Sequence, residues 1–75
     1  MAPAPNRASL GRVIRRLRQE RELSIETLAG AAGMHPTYLS GIERGHYNPS
    51  WDKLVNLASA LNVPLSAIVA EAERG

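Results

Sequence analysis

Seventy-five residues with a formal net charge of +2, 44% hydrophobic content, no Phe and no Cys describe one domain near the lower size limit for a core that folds unaided. The lack of cysteine excludes disulfides and thiolate metal sites, and no apolar run approaches the roughly 18–20 residues that span a bilayer. The core is expected to be aliphatic, built from Leu, Ile, Val and Ala around the single Trp51.

Residues 1–8, opening Met-Ala-Pro-Ala-Pro-Asn-Arg, place no apolar segment behind their charge and read as a flexible leader, not a signal peptide. A cytoplasmic location is the expectation. The first helix is expected from about Leu10 to Arg21, with Ser9 as its N-cap. Leu10, Val13, Ile14 and Leu17 recur at the spacing of one buried helical stripe and leave Arg12, Arg15 and Arg16 outside. With Arg7, Arg18 and Arg21, these arginines precede residue 24 against only Glu20 and Glu22, while the C-terminal end carries Glu71 and Glu73 against Arg74. A basic front and a mildly acidic back fit a polyanion on one face. A solvated amphipathic helix rich in Arg explains the first helix equally well on its own.

Ser24 caps the second helix, with Glu26 favourably placed in its first turn. Gly33 ends it after Ala32, where the chain often needs a left-handed backbone. Gly30 lies inside this helix and weakens it by roughly 1 kcal/mol relative to Ala, so tertiary packing must hold it. Pro36 suits the first turn of the third helix, where its missing N–H has no partner anyway, and Gly45 stops that helix after Arg44. Leu28, Ala32, Met34, Leu39 and Ile42 then face inward, with Ala29 where the two helices cross. Two short helices across a tight turn form a helix-turn-helix, whose second helix usually lies in the major groove of DNA.

Residues 46–50, His-Tyr-Asn-Pro-Ser, form a turn-rich loop. Ser50 caps a fourth helix, about Trp51 to Leu61, with Trp51, Leu54, Val55, Leu57, Ala58 and Leu61 on its inner face. Asn62 closes it as Gly33 closes the second, and Val63-Pro64 leads into a fifth helix, about Leu65 to Glu73. Leu65, Ile68 and Val69 give this last helix more apolar surface than so small a fold buries, which predicts contact with a second copy. The expected organisation is a leader over residues 1–8 and one compact, all-α, five-helix domain over residues 9–73.

Leu28-Ala29 with Gly33, then Leu39-Ser40-Gly41-Ile42-Glu43-Arg44-Gly45, then Asn48-Pro49-Ser50 leading into Leu54, Leu57, Ala58 and Leu61 carry a family resemblance. From about Leu10 to Ile68 the chain resembles the Cro/phage-repressor, or Xre-like, helix-turn-helix family. Thr37 to Gly45 is similar to the small controller proteins of restriction–modification systems. The resemblance implies a lambda-repressor-like fold and a homodimeric transcriptional regulator, or repressor, that binds palindromic operators in double-stranded DNA. It also implies an ion pair between Arg18 and Glu43. The residues themselves agree: Arg18 borders the apolar stripe, Glu43 follows the inward Ile42, and a partly buried charge needs a partner.

In the family, base edges are read from the start and outer face of the third helix. Those positions are Pro36, Thr37, Ser40 and Gly41 here, with Tyr38 and Arg44 close by. Thr37 and Ser40 can donate or accept at a base edge, and Arg44 either forks onto guanine or binds a phosphate. Tyr38 either packs on the sugar-phosphate backbone or covers the core edge. Phosphate contacts are expected around the starts of the second and fourth helices, from Ser24, His46, Tyr47, Asn48, Ser50 and Lys53. Asn48 and Ser50 read equally as turn and capping residues. Ile25 and Pro36 stand where the family often has Gln, so direct readout is expected to be sparse and to lean on DNA shape.

Ser, His and Asp are present, but a helical chain this short offers no evident enclosure for a nucleophile, so no enzymatic activity is expected. His35, Glu43 and His46 lack a Cys partner, and Glu43 is engaged by Arg18, so no metal or other cofactor is expected. A membrane-surface role for the basic first helix conflicts with the need for its apolar stripe in the core, and no site for a small-molecule effector is evident. One alternative keeps the fold: an antitoxin that binds a toxin protein and its own promoter. A fifth helix packed on its own copy favours the plain regulator.

Overall fold

The computed structural model describes residues 6–74 and arranges them as five helices with no strand among the described residues. These are α1 (Arg7–Glu20), α2 (Ile25–Ala32), α3 (Pro36–Glu43), α4 (Trp51–Leu61) and α5 (Leu65–Arg74). Residues 1–5 of the expected leader lie outside the described residues, while Arg7 and Ala8 are helical. The cap of α1 is Asn6, not Ser9. Its Oδ1 accepts the Ser9 N–H at 2.8 Å, and the Ser9 Oγ accepts the Asn6 N–H at 3.2 Å. This reciprocal capping satisfies two donors that a helix start leaves open and buries Ser9 one turn inside. An apolar stripe marks where packing begins, and capping chemistry begins earlier.

Gly33 and Asn62 close α2 and α4 in the left-handed conformation, at φ 70° and 58°. A third left-handed residue, Glu22 at φ 54°, follows α1 and lets the Leu23 N–H reach the Arg18 carbonyl at 3.1 Å. The same wrap that ends α2 thus ends α1 without a glycine.

The core is aliphatic. Ile14, Leu28, Leu39, Ile42, Leu57, Leu61 and Ile68 are fully buried, each contributing on the order of 1.5–3 kcal/mol relative to exposure. Trp51 is not part of it: at the first position of α4 it is 67% exposed, and Val55, one turn on, is 40% exposed. Leu54, Leu57, Ala58 and Leu61 already fill the inward stripe, and Trp51 lies outside it. Ile68 departs from expectation in the opposite sense. With Ala72 it forms the seam by which α5 packs on α1 and α4, fully buried within its own chain. Only Leu65 and Val69 of the expected α5 patch remain half-exposed.

Gly11 brings α1 against the end of α3. A Cβ there would collide with the Ile42 carbonyl oxygen and lie 2.7 Å from that of Glu43. Helix ends are fastened by side chains from elsewhere in the chain. Arg21 Nε donates to the Leu61 carbonyl at 2.6 Å, Lys53 Nζ to Gly33 at 2.6 Å and Asn56 Nδ2 to Ala32 at 3.3 Å. Each group meets carbonyls left open at a helix C-terminus, and the two cations also meet its partial negative charge. Arg16 bridges Glu20 and Glu71, tying α1 to α5 at the surface. No single helix among the described residues is long and apolar enough to cross a membrane.

Candidate nucleic-acid interface

His35 precedes α3 and caps it unusually, its Nδ1 accepting the Thr37 N–H at 3.1 Å. Pro36 follows at the first helical position. From there Leu39 and Ile42 turn inward and are fully buried, so Thr37, Ser40 and Arg44, at i, i+3 and i+7, align along the opposite side. Thr37 and Arg44 are exposed and Ser40 is half-buried. Arg44 Nε donates to the Ser40 carbonyl at 3.4 Å, which lays the guanidinium back along the stripe.

Behind this stripe stands the ion pair. Arg18 Nε and Nη2 donate to the two carboxylate oxygens of Glu43 at 2.7 and 3.0 Å, and Arg18 Nη1 donates to the Leu23 carbonyl at 2.9 Å. The side chains are 13% and 3% exposed. The hydrogen bond to Glu43 raises the Arg18 pKa against the opposing effect of burial. The pair cancels the one buried acid on α3 and fixes the helix to α1 and to the turn before α2. It builds the site and does not face outward.

Two expected reading positions meet the loop that follows α3. Gly41 shares the outward side of α3 but is buried, and a Cβ there would collide with the Tyr47 ring. It therefore offers a base edge nothing. Tyr38 is half-buried, stacks on Tyr47 with ring centres 5.6 Å apart, and donates from Oη to the Asn48 carbonyl at 3.4 Å. Pro36 is half-buried and lacks a hydrogen-bonding side chain.

The expected phosphate-contact residues fall into two groups. His46, Tyr47, Asn48 and Ser50 lie together on the exposed loop between α3 and α4. Ser50 Oγ also caps α4, accepting the Lys53 N–H at 3.3 Å. Ser24 caps α2, accepting the Thr27 N–H at 3.0 Å and donating to Thr27 Oγ1 at 2.8 Å. Lys53 is drawn away by its bond to Gly33. Acidic residues sit in the first turns of α2 (Glu26) and α4 (Asp52), whereas α3 has none. At the start of α3, however, the first N–H groups are already engaged, Thr37 by His35 Nδ1 and Tyr38 by the His35 carbonyl at 3.0 Å, and Pro36 has none.

Arg7 joins this surface from a distant point in the sequence. Its Nη1 donates to the His46 carbonyl at 3.4 Å, adding a cation beside the loop. Nothing local in the sequence signals this, because the contact depends on how α1 packs on α3. Conversely, Arg16, Arg18 and Arg21 are spent on internal partners, so the basic front is narrower than the arginine count implies. Among the described residues, His35, Glu43 and His46 do not gather into a metal-binding group.

Residues 9–70 match the family model described as "Helix-turn-helix domain". The chain is 43% identical over 63 residues to the immunity repressor protein of Bacillus phage phi105, covering 84% of this chain and 44% of that protein. It is 48% identical over 50 residues to the HTH-type transcriptional regulator DdrOP3 of Deinococcus deserti, covering 67% of this chain and 39% of that one. The chain thus spans less than half the length of either relative. In structure it resembles the restriction-modification controller protein C.AhdI from Aeromonas hydrophila, with a TM-score of 0.81 and 35% identity, covering 83% of this chain and 94% of that chain.

Proposed function

The chain belongs to the helix-turn-helix family, and on that premise we propose that it is a cytoplasmic transcriptional regulator, without catalytic activity, that binds a palindromic DNA operator as a homodimer. The observation that carries this reading is the outward line formed by Thr37 and Ser40 on α3 and by Arg44 at its C-cap.

In this reading α3 enters the major groove. Thr37 and Ser40 meet base edges, and Arg44 meets either a guanine or a phosphate. Arg7, His46 and Asn48, with the start of α4 at Ser50 and of α2 at Ser24, take flanking phosphates and set the register. Leu65 and Val69 supply the contact between copies. Two-fold symmetry then places two α3 helices about one helical turn, roughly 34 Å, apart.

Selection from a random duplex library tests this directly. The expected product is an inverted repeat with half-site centres about 10 base pairs apart, bound with an affinity that falls steeply with salt. Failure to enrich any sequence over the starting library contradicts the reading.

A further inference from the structure

Gly41, Tyr38 and Tyr47 form a unit in which Tyr38 packs against the core and Tyr47 does not. The Tyr47 ring occupies the space over Gly41 that any side chain would need. It stacks on Tyr38 with planes 25° apart, and His46 meets it edge-on with ring centres 6.5 Å apart. Tyr38 Oη reaches the Asn48 carbonyl, and the His46 N–H donates to the Gly41 carbonyl at 2.8 Å. Yet Tyr47 is 49% exposed and outside the hydrophobic core. These contacts bind the 46–50 loop to the same side of α3 that carries Thr37, Ser40 and Arg44.

We propose that Tyr47 is a positioning residue for DNA recognition: seated on Gly41 and stacked on Tyr38, it holds the loop in one register with the reading stripe. The inference rests on the DNA-binding function proposed above. Phosphate contacts from the loop and base contacts from α3 are then made together, without ordering the loop at the moment of binding. The ring does this, and not the hydroxyl, so Tyr47 acts through Gly41 and Tyr38 and not as the phosphate ligand its position in the sequence suggests. Glycine at 41 is a requirement of this seat and is unrelated to backbone conformation.

The test compares Tyr47→Ala, Tyr47→Phe, Gly41→Ala and the Gly41→Ala/Tyr47→Ala double variant with wild type. Each is titrated against a duplex enriched by the wild type and a mixed-sequence duplex of equal length, with thermal unfolding followed in parallel. Tyr47→Ala is expected to lose about tenfold affinity for the enriched duplex and less than about twofold for the mixed one. Tyr47→Phe, which keeps the ring, is expected to recover the loss. Gly41→Ala should cost about as much as Tyr47→Ala, and the double variant no more than the worse single one.

Equal losses on the two duplexes, a Phe variant as weak as Ala, or additive losses in the double variant each overturn the proposal. If Gly41→Ala fails to fold, the Ala-to-Phe comparison at 47 on the two duplexes still decides it. A wild type that enriches no duplex overturns the DNA-binding reading itself, which is a separate result.

Discussion

Glu43 is an acid enclosed at the end of α3, and its tolerance there depends on one guanidinium. Because the Arg18 and Glu43 side chains are 13% and 3% exposed, removing either strands the other in a poorly solvated place. Glu43→Ala is expected to cost about 3–5 kcal/mol, much of the stability of so small a domain. An apolar replacement of both, Arg18→Met with Glu43→Leu, should cost far less. Urea unfolding of the three proteins checks this through the shift in midpoint at constant slope. The raised Arg18 pKa gives a contribution that is complete below the ordinary arginine range and lost only in strong alkali, so on that account stability is flat across neutral pH. At this scale the pairing of Arg18 with Glu43 was legible through the resemblance, and so were Thr37, Ser40 and the nearby Arg44 as candidate reading positions. The packing around Gly41 was not, because the resemblance places it among the reading positions and says nothing of a ring folding back from residue 47.

Two glycines inside helices look alike in sequence and differ in what surrounds them. Gly30 is exposed on α2 with nothing within 4 Å of a built Cβ. Gly30→Ala should therefore stabilise the domain by about 1 kcal/mol, raising the midpoint by roughly 4–8 °C. Gly11 faces the backbone at the end of α3, where the obstructing atoms cannot rotate away. Gly11→Ala should destabilise by about 1–3 kcal/mol. Thermal unfolding followed by circular dichroism separates the signs. The five elements themselves were legible from periodicity, caps and punctuation. Element ends were less so: Asn6 caps α1 three residues ahead of the expected Ser9, and Glu22 closes it where no glycine stands. Both depend on polar geometry that an apolar pattern does not encode.

For the whole molecule, what separates core from interface is which helix covers which stripe, and on α5 the sequence does not say. Ile68 lies in the intramolecular seam, so Ile68→Glu is expected to unfold the chain. Val69, half-exposed one position on, tests assembly: Val69→Glu should stay folded, sediment as a monomer and bind DNA more weakly. A dimer that survives Val69→Glu removes α5 from the interface and turns attention to the exposed Trp51 and Val55. On the proposed function, the folded scaffold presents Thr37 and Ser40 of α3 to base edges. The most direct test of this is the affinity of wild type and a Thr37→Ala/Ser40→Ala variant for every single-base-pair change in an enriched duplex. Lost discrimination is expected at a few positions, repeated in both half-sites and worth about 1–3 kcal/mol each, with mixed-sequence affinity unchanged. A uniform weakening on all duplexes, or no change on any, contradicts it.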